Sequence, residues 1–94
     1  METLKPFSDF FSAIKKDGRI SITHIGVFAA LLQYRVENGF SNPIKIISHD
    51  IMAIAKISSR ATFYKCVHDL NEYGYINYVP SCKARHGSSV YFPE

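Results

Sequence analysis

The chain has 94 residues, a net charge of +3 and a hydrophobic fraction of 47%, which favours one folded domain with one core over a disordered chain. Residues 27–32 form the longest apolar run, about a third of the length that a membrane span needs. Two cysteines give no disulfide framework, and no signal peptide is recognisable, so we expect a soluble protein of the reducing cytoplasm.

The first predicted helix covers residues 6–16, because Phe7, Phe10, Phe11 and Ile14 recur at the spacing of one helical face. Asp17 and Gly18 end it. We therefore divide the chain into an N-terminal helical extension, residues 1–18, and a domain, residues 19–94. The aromatic face of the extension packs either on the core of that domain or on a partner, such as a second copy in a homodimer.

A longer helix follows, with Ser21 or Thr23 as the N-cap and an end near Asn38. Gly39 stands just beyond, where a left-handed residue commonly closes a helix. Residues 44–46, with the sequence Ile-Lys-Ile, are then predicted to form one short strand.

Two short helices come next. Ser48 is predicted to cap the first, which runs to about Ala55, and Ser58 or Ser59 to cap the second. Gly74 is expected to end the second helix. Its buried face is predicted from apolar residues at i, i+3, i+4 and i+7, namely Phe63, Cys66, Val67 and Leu70.

Beyond Gly74 the apolar period changes from that of a helix to that of a strand. Residues 75–79 and 89–92 are predicted to form a hairpin, with a short polar and basic loop between them. The element order predicts an α+β fold, a winged helix-turn-helix. It has a three-helix core, a short strand, a C-terminal hairpin as the wing and an extra N-terminal helix.

The second helix of a helix-turn-helix enters the major groove of DNA, so its outward side decides the function. Counting 100° per residue from Phe63 places Lys65 and His68 opposite the buried face. Arginine and lysine reach guanine edges or phosphates, and hydroxyl groups bond phosphates. The DNA-contacting residues predicted on this helix are Ser59, Arg60, Thr62, Tyr64, Lys65 and His68.

The loop of the hairpin is the second predicted DNA contact, through Lys83, Arg85 and His86. Basic side chains on a loop suit a phosphate or a minor groove. An ordinary solvated turn has a similar composition. The basic excess of the chain lies in residues 56–86, where a polyanion would bind.

Zinc is commonly bound by Cys and His, and the C-terminal half contains four such residues near one another in sequence: Cys66, His68, Cys82 and His86. Cys66 and His68 are two residues apart on a helix, hence about 200° apart around its axis. They cannot bind one ion together, so we interpret Cys66 as a small core residue and expect no metal.

Catalytic motifs are absent from the sequence: there is no nucleophile elbow, phosphate-binding glycine loop or paired carboxylate motif. His24 and His49 stand near predicted helix starts and are interpreted as surface or capping residues. We therefore expect no enzyme activity, no cofactor, no small-molecule ligand and no membrane partner.

Residues 57–64 and 70–76, Ile-Ser-Ser-Arg-Ala-Thr-Phe-Tyr and Leu-Asn-Glu-Tyr-Gly-Tyr-Ile, resemble the recognition-helix signature of bacterial winged-helix proteins. Residues 20–92 as a whole resemble the small winged-helix proteins of Bacteroides-type mobile elements and the winged-helix domains of plasmid and phage replication initiators. The resemblance implies that Ser59, Arg60, Thr62, Tyr64 and Lys65 face double-stranded DNA. It also implies a transcriptional regulator or a replication or transfer accessory protein.

The alternative function is a protein-interaction module. Winged helices also serve as adaptors, and the aromatic face of residues 7–14 would then be the docking surface.

Overall fold

The computed structural model describes residues 5–81 and 87–93. This part of the chain forms a small α+β fold of four helices and one three-stranded antiparallel sheet. The helices are α1 (Lys5–Ile14), α2 (Ile22–Glu37), α3 (Ser48–Ala55) and α4 (Arg60–Glu72), and the strands are β1 (Ile44–Ile46), β2 (Asn77–Val79) and β3 (Ser88–Tyr91).

Helix α1 packs on the core mainly through one aromatic side chain. The ring of Phe10 stacks on that of Phe28 in α2, with centroids 3.9 Å apart, and meets the edge of Tyr75 at 5.3 Å. Phe10 is 3% exposed, whereas the neighbouring Phe11 is 41% exposed. The sequence left open whether this aromatic face packs on the core of the chain itself or on a partner. Phe10 packs on the core of the chain itself.

Helix α2 begins with a capping box. The Ser21 side chain accepts the backbone N–H of His24, and the His24 ring accepts the backbone N–H of Ser21. Asn38 is the C-cap, and Gly39 follows at a φ of +75°, as the sequence predicted. With 16 residues α2 is the longest helix of the described ranges, and none of these helices is long and apolar enough to cross a membrane.

Helix α3 differs from the prediction at its start. Ile47, not Ser48, is the N-cap, and no side chain caps the helix. Ile47 has extended backbone angles, so β1 leads into the helix after one residue. At the other end Lys56 takes a left-handed conformation, at a φ of +62°, which turns the chain toward α4.

Helix α4 buries the four residues that the sequence predicted, Phe63, Cys66, Val67 and Leu70. Gly74 follows its end at a φ of +87°, and the backbone N–H of Tyr75 bonds to the carbonyl of Leu70. This closing bond keeps Tyr75 out of the sheet. The predicted strand over 75–79 therefore begins later, at Asn77, and that boundary was wrong.

Strand β3 lies in the centre of the sheet, antiparallel to β1 on one side and to β2 on the other. Val90 is fully buried, between Ile44 of β1 and Tyr78 of β2. The strand covers 88–91 rather than the predicted 89–92. Phe92 lies outside it because its backbone N–H and carbonyl both bond to the Asn42 side chain, each at 2.9 Å.

Candidate nucleic-acid interface

Helix α4 is anchored on its inner side and capped at its start. Phe63 and Val67 are fully buried in the core, and Ser59 Oγ accepts the backbone N–H of Thr62 at 3.2 Å. Ser59 is thus the N-cap, one of the two candidates that the sequence offered. Since the inner side is held by the core, the opposite side of α4 faces solvent.

Most of the residues predicted on this helix share one exposed surface. The exposed residues of α4 up to its third turn form what we call the α4 face: Arg60, Ala61, Thr62, Lys65 and His68. Ser59 is exposed beside them. Tyr64 is only half-buried and packs against the core, with its ring 5.2 Å from that of Phe63. The predicted contacts of the hairpin loop, Lys83, Arg85 and His86, lie outside the described residues.

The sheet flanks the α4 face. The His68 ring meets the edge of Tyr78 in β2 at 5.5 Å, and the Asn71 side chain accepts the backbone N–H of Tyr78 at 2.9 Å. The Tyr78 hydroxyl in turn donates to Ser88 Oγ at 3.2 Å. These contacts hold the hairpin beside α4, so that helix and hairpin present adjoining surfaces.

A cleft of about 350 Å³ opens between the start of α3, the start of α4 and the hairpin. Ile46 and Phe63 supply its apolar floor. Its polar wall contains a guanidinium, an imidazole, phenols and a hydroxyl, from Arg60, His49, Tyr64, Tyr78 and Ser88. The cleft can therefore accept a group that carries negative charge or hydrogen-bond acceptors.

Lys65 is paired within the protein. Its Nζ lies 3.0 Å from Oδ2 of Asp69, and the same oxygen lies 2.8 Å from Nε2 of His24. The carboxylate raises the pKa of Lys65. Hydrogen bonds from His24 first, and from Lys65 second, lower the pKa of Asp69. At neutral pH Asp69 is therefore a carboxylate and Lys65 an ammonium.

His24 was expected to be a surface or capping residue. It caps α2, but it is 6% exposed, so the surface interpretation was wrong. Its place at the third position of a capping box, where Glu or Gln commonly stands, is the signal that sequence reasoning could have used. No sequence pattern shows its bond to Asp69, which stands 45 residues further along.

Arg60 differs from Lys65. Within residues 5–81 and 87–93 it makes no hydrogen bond or ion pair, and it is exposed. Its guanidinium therefore keeps all of its donors available to a ligand. Of the two permanently charged residues on the α4 face, Arg60 is unpaired there and Lys65 is bound to Asp69.

Cys66 belongs to the core, as the sequence predicted, and is 4% exposed. Burial raises the pKa of its thiol, so it remains protonated at neutral pH. The described ranges contain no cluster of three or more His, Cys, Asp or Glu residues that could hold a metal ion. Cys82 and His86, the other two residues of the zinc site considered from the sequence, lie outside those ranges.

Comparison with known proteins gave no match to a protein-family model, a curated protein or a solved structure. What the α4 face does is therefore inferred from its own side chains. They form an exposed surface of donors that is flanked by the hairpin, and the guanidinium at one end of it has no partner among the described residues.

Proposed function

We propose that the chain is a winged helix-turn-helix domain that binds double-stranded DNA, with α4 in the major groove and the hairpin along the backbone. The observation that carries the proposal is the α4 face. It is exposed, rich in hydrogen-bond donors, and begins at Arg60, which has no ion-pair partner in residues 5–81 and 87–93. Arginine at such a position can bond a guanine edge through two donors or a phosphate through one.

The arrangement of elements supports the winged-helix part of the proposal. A four-residue turn, 56–59, joins α3 to α4, which suits a helix-turn-helix. The strand before α3 and the hairpin after α4 form one sheet in the order β1-β3-β2, which is compatible with a winged helix. The hairpin then corresponds to the wing, with Lys83, Arg85 and His86 as proposed backbone contacts.

The chemistry of the surface also suits a duplex. Ala61 has a small side chain, which lets α4 approach a groove closely, and Thr62 and His68 can bond phosphate oxygens. The cleft beside Arg60 has room for part of a sugar–phosphate backbone. The first backbone N–H groups of α4 add attraction for a phosphate, because the N-terminus of a helix carries partial positive charge.

The cellular role follows only from the resemblance to winged-helix proteins of mobile elements. We propose a cytoplasmic transcriptional regulator or a replication or transfer accessory protein. A dimer is proposed only if the target proves palindromic, since two-fold symmetry of a site mirrors two-fold symmetry of its protein.

Selection of bound fragments from the DNA of the host element, followed by fluorescence anisotropy on the selected duplex, tests the proposal. We expect affinity to fall with salt, with a slope in log–log coordinates of about −0.9 for each phosphate contact. No binding at about 50 mM salt, where phosphate contacts are strong, would contradict it. An unrelated duplex of equal length is the control for sequence preference.

A further inference from the structure

Asp69 lies between the core and the α4 face. Its Oδ2 accepts a hydrogen bond of 2.8 Å from Nε2 of His24 and one of 3.0 Å from Nζ of Lys65. The side chains of His24 and Asp69 are 7% and 16% exposed, whereas that of Lys65 is 74% exposed. One carboxylate oxygen thus connects a buried ring with a cation that projects into solvent.

His24 holds this carboxylate in place. Nδ1 of its ring accepts the backbone N–H of Ser21 at 3.0 Å and lies 2.8 Å from Ser21 Oγ. The proton of the neutral ring is therefore on Nε2, which donates it to Asp69. The tautomer, and with it the direction of the bond to Asp69, follows from the capping box of α2.

This anchoring distinguishes the Lys65–Asp69 pair from an ordinary pair on a helix surface. An exposed pair in which Lys precedes Asp by four residues contributes little to stability. Both side chains lose conformational entropy, and the opposite order, with the acidic residue first, is the more favourable one on a helix. Here the core has already immobilised Asp69, so Lys65 alone loses freedom when the pair forms.

We propose that Asp69 determines the specificity of the DNA interface by holding the Lys65 ammonium and weakening its contact with phosphates. The inference rests on the proposed function. Phosphate contacts are independent of sequence, so a lysine released from Asp69 would strengthen binding to every duplex alike. A lysine held by Asp69 presents its remaining donors in one direction, which suits a base edge. Asp69 acts through Lys65 and is a positioning residue.

Two variants of equal charge test this inference. Asp69→Asn removes the carboxylate charge and keeps a side-chain oxygen for His24. Glu72→Gln changes the net charge equally on the same helix, and Glu72 is exposed and makes no ion pair within the described ranges. Each protein is titrated with the selected fragment and with an unrelated duplex between 50 and 200 mM salt, after circular dichroism has confirmed folding.

We expect Asp69→Asn to tighten binding to the unrelated duplex and to lower the ratio of specific to unrelated affinity. Its salt slope should steepen by about 0.9, so the gain shrinks about 3.5-fold between 50 and 200 mM salt. Glu72→Gln should leave the slope unchanged. Adding Lys65→Ala to Asp69→Asn should abolish the gain, because the gain belongs to the released ammonium.

Equal responses of Asp69→Asn and Glu72→Gln, or no response of either, would overturn the inference while wild-type binding upholds the proposed function. If the wild-type protein binds no duplex, both fail together. If Asp69→Asn does not fold, the single variant Lys65→Ala tests the inference through the salt slope of its binding. An unchanged salt slope supports the inference, and a slope reduced by about 0.9 overturns it.

Discussion

The phenol of Tyr75 donates a hydrogen bond of 2.5 Å to the carboxylate of Asp17, 58 residues earlier in the chain. The same carboxylate accepts two bonds of 2.8 Å from the guanidinium of Arg19, which lies 3.9 Å from the centre of the Tyr73 ring. The loop between α1 and α2 is thereby attached to the end of α4. We therefore expect the carboxylate of Asp17 to stabilise the fold in a manner that depends on pH.

Asp17→Asn should destabilise the protein in a manner that depends on pH. The hydrogen bond from Arg19, and then that from Tyr75, holds the pKa of Asp17 well below its usual range. A carboxyl with a lowered pKa in the folded state stabilises fully above its unfolded pKa of about 3.9 and loses that contribution as pH falls. The free energies of unfolding of wild type and variant, measured in urea, should therefore differ at pH 7, and the difference should become smaller below about pH 4.

Asp9→Asn is the matched control for that series. Asp9 pairs with Lys5 on the exposed surface of α1, with both side chains more than half exposed, and such pairs contribute little. If Asp17→Asn lowers the free energy of unfolding equally at pH 3 and pH 7, the charge of the Asp17 carboxylate is not what stabilises the fold.

Phe10→Ala and Phe11→Ala should differ strongly although the residues are neighbours. Phe10 is buried against Phe28, so its truncation should cost about 3–5 kcal/mol of unfolding free energy. Phe11 is 41% exposed, and we expect a cost below about 1 kcal/mol. Denaturant unfolding measures both. A homodimer through α1 would be favoured if both variants lost a similar, large amount of unfolding free energy and if Phe11→Ala also lowered the mass measured by light scattering.

Gly87→Ala should destabilise the sheet by more than about 1 kcal/mol. Gly87 has a φ of +65°, and an added Cβ would lie 2.5 Å from the backbone carbonyl oxygen of Ile46. Gly18→Ala is the control, since nothing lies within 4 Å of a Cβ there. Thermal unfolding should show a lower Tm for the first variant only. Equal Tm values would mean that β1 can move away from Gly87 at little cost.

Arg60→Ala should weaken DNA binding and leave the fold intact, because the side chain is exposed and makes no ion pair within the described ranges. We expect a loss of about 1–3 kcal/mol if it reads a guanine edge, or a salt slope reduced by about one if it binds a phosphate. Lys5→Ala, which removes a cation on α1, is the control. Equal affinities of wild type and Arg60→Ala would exclude the start of α4 as a DNA contact.

The sequence predicted those parts of the fold that depend on local periodicity. The buried face of α4 and the strand over 44–46 were both predicted from the spacing of their apolar residues. The end of α2 followed from Gly39, whose φ of +75° suits a glycine. Such features are set by neighbours within a few residues, which a sequence displays directly.

Features that depend on distant partners were missed. The sequence placed Lys65 on the outward side of its helix, but the carboxylate of Asp69 binds both Lys65 and His24 of α2. The start of α3 was misplaced because Ser48 is a better capping residue than Ile47 in isolation, whereas the adjoining strand makes Ile47 the cap. Tertiary contacts overrode local preference in both cases.

The central position of β3 has a consequence for the order in which the protein can assemble. Among the residues that the structure describes, β1 and β2 make no ladder with each other, and each pairs with β3. Because synthesis proceeds from the N-terminus, β1 has no strand to pair with until β3 has been synthesised. A chain interrupted before residue 88 would therefore lack the strand that joins β1 to β2, and neither β1 nor β2 could enter a sheet.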